Sequence, residues 1–333
     1  MTPAPDSEQP IYYTTVRRLA EPELRERLSG SPEQVARIVY AAATGGSAAA
    51  QVTLGQMLLD GYGMKCDVGA AFRWFGIAAE AGDLDGVNML GRCYENGWGV
   101  PIDRLRASHQ FQKAAAKSHA WAQFNLGMLL LHDSGHPGDV VTALTLFVRS
   151  ARQGNAKAMN MIGRYREFGW TGRLDLDSAI RWYRRAAMRG CFRGAAHLAR
   201  FSHEQGKRRE AVHWYRQSAA NAPTHFCREL AAHLFATDDA ELHGVAREAL
   251  KRAAEGDEPA DLFAYANALI EGQGGPVNLT EAEIWLGRAQ AQGFLGSPYA
   301  AGGGAPPTRL SVALLQIQQM RIGTSPTRIS IQA

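Results

Sequence analysis

Residues Asp83–Ser118 read DLDGVNMLGRCYENGWGVPIDRLRASHQFQKAAAKS, and the chain repeats this unit. Its Leu90-Gly91 pair recurs, with changes, as Leu54-Gly55, Leu126-Gly127, Ile162-Gly163 and Leu198-Ala199, each step being 36 residues. Self-similarity at a period between 20 and 50 residues is the mark of a solenoid, in which units that cannot bury an apolar face alone do so by stacking. In each unit a first helix of small and apolar residues breaks at a glycine turn: Gly61 and Gly63, Gly97 and Gly99, Gly272 and Gly274. Glycine ends a helix there by supplying positive φ. Asp67, Asp103 and Asp177 then precede the second helix, where an acidic residue caps the N-terminus or complements the dipole. That helix carries an aromatic residue (Trp74, Phe111, Phe147, Trp182, Trp214, Trp285) about four residues before an Ala-Ala or Ser-Ala pair. The rings are expected in the core between layers.

Working outward, six units are expected at about 47–82, 83–118, 119–154, 155–190, 191–222 and 257–293, with a degenerate one at 223–256 that lacks both the aromatic and the Leu-Gly signal. Residues 16–46 read as an atypical capping helix pair, and the Pro-rich, polar residues 1–15 as a disordered tail. After Leu295, residues 294–333 read as a Gly/Pro-rich linker and tail, with one weak helical stripe at Leu310, Leu314, Ile317 and Met320.

The pattern L-G-x-x-Y-x-x-G-x-G-V, then Asp, then W/F-x-x-x-A-A-x-x-G, resembles the Sel-one-like repeat, a relative of the tetratricopeptide repeat. Leu90-Gly91-Arg92-Cys93-Tyr94-Glu95-Asn96-Gly97-Trp98-Gly99-Val100 carries the likeness best, and it extends over about 47–293. What the resemblance implies is an all-α fold, a right-handed superhelical solenoid of antiparallel helix pairs, used as a non-enzymatic protein-interaction scaffold in a bacterial setting.

Composition narrows the rest. Lys and Arg number 36 against 32 Asp and Glu, a formal charge of +4, too weak to imply nucleic acid. No run of 18 apolar residues exists, which argues against a membrane span. The N-terminus shows no secretory signal, and Cys66, Cys93, Cys191 and Cys227 occupy unrelated repeat positions, so reduced thiols in a cytoplasmic protein are expected. No cofactor, metal or catalytic set is expected. His132 and His136 have i, i+4 spacing but flank turn residues, His225 and Cys227 form an isolated pair, and Gly45-Gly46 and Gly302–Gly304 lack a following Lys-Ser/Thr. Two rival readings are a cell-wall-type glycan ligand or substrate and an RNA-binding solenoid; the first lacks the paired cysteines of the relatives linked to such ligands.

Charge is nevertheless uneven. Between Arg164 and Arg216 stand thirteen Lys or Arg against five Asp or Glu, which makes either a solvated basic face or a surface for an acidic segment of a partner. With Leu90, Gly91 and Tyr94 facing inward, the positions two before, two after and five after the Leu share another face, which lines the concave groove in the related tetratricopeptide repeats. That face reads Asn88, Arg92 and Glu95, then Phe124, Met128 and Leu131 with Trp121 ahead of them, then Asn160, Arg164 and Glu167, then Arg193, Arg200 and His203. Lys157, Asn160 and Arg164 resemble the carboxylate clamp of tetratricopeptide repeats. The expected partner is a protein or peptide with an apolar anchor and acidic flanks.

Overall fold

A computed structural model of the protein describes residues 29–133, 137–170 and 172–293. The expected tails at 1–15 and 294–333, the first helix of the N-terminal cap, the stripe at 310–320 and His136 lie outside the described residues. Among the described residues every regular element is helical, and the helices are paired antiparallel in a repeat solenoid. The chain divides into two compact units, Met1–Arg173 and Leu174–Ala333. The first holds α1 (Pro32–Thr44), α2 (Ala48–Asp60), α3 (Val68–Glu80), α4 (Leu84–Asn96), α5 (Arg104–Ala116), α6 (Ala120–Asp133), α7 (Pro137–Arg152) and α8 (Ala156–Phe168). The second holds α9 (Leu176–Ala187), α10 (Phe192–Glu204), α11 (Arg208–Asn221), α12 (Thr224–Phe235), α13 (Ala240–Ala254), α14 (Pro259–Ile270) and α15 (Leu279–Ala291).

The glycine of the Leu-Gly pair is where the helices of one repeat meet. A methyl group on Gly55 would lie 2.5 Å from the Phe75 ring, on Gly91 2.6 Å from Phe111, and on Gly127 2.8 Å from Phe147. The three rings are fully buried. The Ala-Ala pair serves the next contact: a methyl on Gly86 would sit 2.7 Å from Ala78, and one on Gly194 2.7 Å from Ala186. Small residues thus set both spacings, within a repeat and between repeats.

This geometry corrects the phase of the aromatic position. Trp74, Trp182, Trp214 and Trp285 are only half-buried, and the core position falls one residue later, at Phe75, Tyr183, Tyr215 and Leu286. Phe75, Tyr183 and Tyr215 stand three before the small pair, as Phe111 and Phe147 do, Leu286 stands three before Ala289, and one residue turns a helix by about 100°. The tryptophans lie beside the core with other partners: Trp74 meets Tyr40 edge-on at 6.3 Å, and Trp214 Nε1 donates to Glu210 Oε1 at 3.4 Å. A second correction concerns α9. Its cap is Asp175, whose side chain accepts from Ser178 N, whereas Asp177 lies inside the first turn; Asp67 and Asp103 cap α3 and α5 as read.

The stretch 223–256 forms a helix pair, α12 and α13, in spite of its missing signature. Leu230, Leu234, Leu242, Val245 and Ala249 join the core of the second unit there, so aliphatic residues replace the ring-and-glycine contact.

Gly91→Ala tests the packing. Alanine gains up to about 1 kcal/mol of helix propensity over glycine, but overpacking a filled site costs about 1–3 kcal/mol. The net expectation is a lower urea midpoint. Gly76, in α3, faces open space, so Gly76→Ala should raise the midpoint. Shifts of the same sign would show that the Phe111 contact does not decide the residue at 91.

Candidate interaction groove

In the first unit, α2, α4, α6 and α8 present equivalent positions to one cavity of about 490 Å³. Counting from the Leu of each Leu-Gly pair, its walls are the residues five before, two before, one before and two after. Position five before supplies Asp85, Trp121 and Lys157; position two before, Val52, Asn88 and Phe124; position one before, Thr53, Met89 and Asn125; position two after, Gln56 and Arg92. The walls are mixed: apolar and aromatic side chains stand beside amides and both signs of charge.

Trp121 is the exposed apolar member, at 46%. Its ring meets Phe124 edge-on at 6.2 Å, and Phe124 in turn touches the buried Phe147 at 5.8 Å. Phe124, Met128 and Leu131 are each half-buried, so this face is neither open groove nor closed core. Lys157 Nζ stands 5.4 Å from the Trp121 ring centre, within cation–π range. Asn125 Nδ2 donates to Asn88 Oδ1 at 2.9 Å and links two repeats across the floor. Arg92 lies over Trp98 at 4.7 Å, with its guanidinium also near Met89 Sδ, so its head is held against α4. The same pairing recurs two repeats on, where Arg164 lies 5.2 Å over Trp170. Asp85 is engaged by His119 Nε2 at 3.0 Å, while His119 Nδ1 accepts from Ala122 N and caps α6. That backbone donor places the ring proton on Nε2, facing the carboxylate.

Five residues read from the sequence, Asn88, Arg92, Trp121, Phe124 and Lys157, line this cavity together. Glu95, Met128, Leu131, Asn160, Arg164 and Glu167 do not. Position five after the Leu shares the angular face of position two before, but seven residues carry it about 10 Å along the helix, beyond a cavity lined from five before to two after the Leu. Of Lys157, Asn160 and Arg164, only Lys157 reaches the cavity; Asn160 is buried, and its Oδ1 has no hydrogen-bond partner among the described residues. In the second unit Arg193 lies over Phe192, Arg200 pairs with Glu204 at 2.8 Å, and His203 Nδ1 stands 4.0 Å from Asp239. The residues that sequence reasoning missed are Val52, Thr53, Gln56, Asp85, Met89 and Asn125. Their signal was present as equivalence by 36 at Thr53, Met89 and Asn125, adjacent to the positions chosen.

Other chemistry is thin. No group of three or more His, Cys, Asp or Glu able to hold a metal occurs among the described residues. Cys93, Cys191 and Cys227 are buried, Cys93 and Cys227 are in no disulfide among the described residues, and burial pushes the Cys93 thiol up to about 12. Among the described residues, no helix is long and apolar enough to cross a membrane.

The Sel1 repeat matches residues 48–83, 85–119, 122–155, 156–191, 196–222 and 259–306, well over half of the chain. The chain belongs to the Sel1 repeat family. Sel1 repeats generally mediate protein–protein interactions through a concave groove, bind peptide or protein partners, and are typically non-catalytic scaffolds. Among solved structures, a Sel1 repeat protein from Oxalobacter formigenes is 23% identical, with a TM-score of 0.54 over 67% of this chain and 99% of that one; the likeness is one of fold. A protective antigen of uropathogenic Escherichia coli strains, displaying an SLR fold, is 25% identical over 94% of this chain and 76% of its own, with a TM-score of 0.35. An immunity protein from Pseudomonas aeruginosa is 16% identical over 64% and 84%, with a TM-score of 0.47.

Proposed function

We propose that this Sel1 repeat protein is a cytoplasmic, non-catalytic scaffold whose first unit holds a peptide segment of a protein partner in the groove of α2, α4, α6 and α8. One observation carries the reading: the same helix positions from four successive repeats converge on one cavity, and one wall of it is the exposed Trp121. An apolar side chain of the segment packs on Trp121, Phe124 and Met89. The amides of Gln56 and Asn125 offer donors and acceptors that suit a peptide backbone. Arg92 and Lys157 outnumber Asp85, which is already engaged by His119, and so favour acidic groups beside the anchor. The thiols of Cys66, Cys93 and Cys227, in no disulfide among the described residues, fit a reducing compartment.

The test is selection of peptides from a random library displayed against the full-length protein, followed by titration of the enriched sequences. Enrichment of an apolar residue flanked by Asp or Glu is expected. Trp121→Ala and Arg92→Ala should each weaken the selected peptide by about 1 kcal/mol or more, the level that marks an anchor. Lys157→Glu should reduce affinity and its salt dependence together. Peptides that bind both alanine variants as well as the parent would remove the groove from the function.

A further inference from the structure

The basic side chains of the second unit fall into two classes. From α10 onward most are answered by a carboxylate, commonly one repeat away: Arg208 by Asp239, Arg216 by Glu248, Arg228 by Asp261, Lys251 by Glu281 and Arg288 by Asp257. Within the basic stretch read from the sequence, Arg208 and Arg216 thus tie neighbouring repeats together. α9 and the turn after it differ. Arg184 reaches Glu210 at 3.3 Å, but among the described residues no carboxylate lies within ion-pair distance of Arg181, Arg185 or Arg189. Asp177, one turn before Arg181, does not pair with it.

These arginines are exposed, and they surround one apolar side chain. Positions 181, 184, 185 and 188 follow the i, i+3, i+4, i+7 spacing of a single helix face. At 188 stands Met188, 73% exposed. Cations in the last turn complement the helix dipole, which accounts for Arg184 and Arg185 but neither for Arg181 nor for an apolar residue in water.

We propose that this face of α9 docks an acidic, amphipathic segment of a protein partner, with carboxylates on Arg181, Arg185 and Arg189 and an apolar side chain over Met188. Charge complementarity selects the sign of the partner, and the arginine fork matches carboxylates bidentately. Two other polyanions fit less well. The guanidinium of Arg185 lies 4.8 Å over the ring of Trp182 and covers the indole face that a nucleic-acid base would need. A membrane surface would need a broad apolar stripe, and here one methionine stands among cations. The surface uses none of the groove's residues, so the two proposals stand or fall separately.

The experiment uses the full-length chain and three probes: a synthetic helical peptide with Leu on one face and Glu on the other, single-stranded oligouridylate of equal charge, and vesicles of phosphatidylserine and phosphatidylcholine. The peptide is expected to bind most tightly at moderate salt. Replacing Arg181, Arg185 and Arg189 together by Glu should weaken it at least about tenfold, and by Gln somewhat less, through loss of steering and of charged hydrogen bonds. Met188→Ser should weaken it about threefold or more, a loss that charge alone would not produce. Trp121→Ala should leave this binding unchanged. The exposed positions lead us to expect unchanged thermal melting, and the Gln variant serves if the Glu variant does not fold. Undiminished peptide binding by the Gln variant would overturn the proposal, as would no binding, or RNA or vesicles binding more tightly than the peptide through the same arginines.

Discussion

Gly99→Ala is expected to cost about 3 kcal/mol, the sum of a left-handed backbone penalty of about 1–2 kcal/mol and an overpacking cost of about 1–3 kcal/mol. Gly99 has φ +70°, and a methyl there would lie 2.4 Å from Val68 O and 2.8 Å from Gly69 Cα. Val68 is the first residue of α3, so the obstacle is backbone held in a helical turn. The same arrangement recurs with Gly63 against Pro32 and Gly274 against His243, always 31 residues back. The second glycine of each turn therefore rests on the start of the preceding second helix and sets the distance between repeats. Gly97 separates the two causes. It also has positive φ, at +75°, but a methyl there would press only on the side chain of Ile102, at 3.0 Å, with Val100 O at an ordinary contact distance of 3.6 Å. Asn tolerates the left-handed region, so Gly97→Asn should cost less than about 1 kcal/mol while Gly99→Asn keeps the contact penalty. Urea unfolding followed by circular dichroism reads both. Because each repeat leans on its neighbours, the Gly99 variants should also lose cooperativity between α3 and α5. Equal losses at 97 and 99 would show that backbone conformation alone governs the turn.

The fold was legible because its contacts are steric and periodic. A glycine that admits a ring, an Ala-Ala pair that admits a helix and a Gly-x-Gly turn each leave a letter in the sequence every 36 residues. Two features were not legible in that way. Where Trp and Phe or Tyr are adjacent, as at Trp74-Phe75 and Trp182-Tyr183, composition does not say which ring is inside; the buried one is fixed by its distance from the small pair. In 223–256 the helix pair is held by leucine and alanine packing, which has many sequence solutions and so leaves no signature. The groove was half legible. Helical periodicity places Asn88, Arg92 and Phe124 on one face, but periodicity reports angle and says nothing of depth along the helix. That is why Glu95 and Leu131 share the face and miss the cavity, while Asp85 and Asn125 line it. The basic stretch was legible as a count only. Its division into Arg208 and Arg216, which have acidic partners, and Arg181, Arg185 and Arg189, which have none among the described residues, depends on acids a repeat away, at Asp239 and Glu248, which no local reading connects.

Arg228→Ala should destabilise the second unit by about 2–3 kcal/mol, because it strands a buried carboxylate. Asp261, in the first turn of α14, has a side chain only 2% exposed. Arg228 Nη2 donates to its Oδ2 at 2.7 Å, and Arg228 Nε donates to Oδ1, so the fork takes both oxygens and joins α12 to α14. The guanidinium itself is half-exposed, which screens its charge and keeps the expected loss below that of a fully buried pair. The asymmetry between the partners gives the prediction its edge. Removing the arginine leaves an anion without its counter-charge, whereas Asp261→Asn leaves a neutral amide that can still accept from Arg228, so the second change should cost less than the first. Arg228→Met combined with Asp261→Leu replaces both polar groups by apolar ones of similar size and should recover most of the loss. Urea midpoints of the parent, Arg228→Met, Asp261→Leu and the double variant form a double-mutant cycle, and a coupling of about 1 kcal/mol or more is expected for residues in direct contact. Coupling near zero, with Arg228→Ala as stable as the parent, would mean that water reaches Asp261 and that the repeats of the second unit are held by their apolar faces alone.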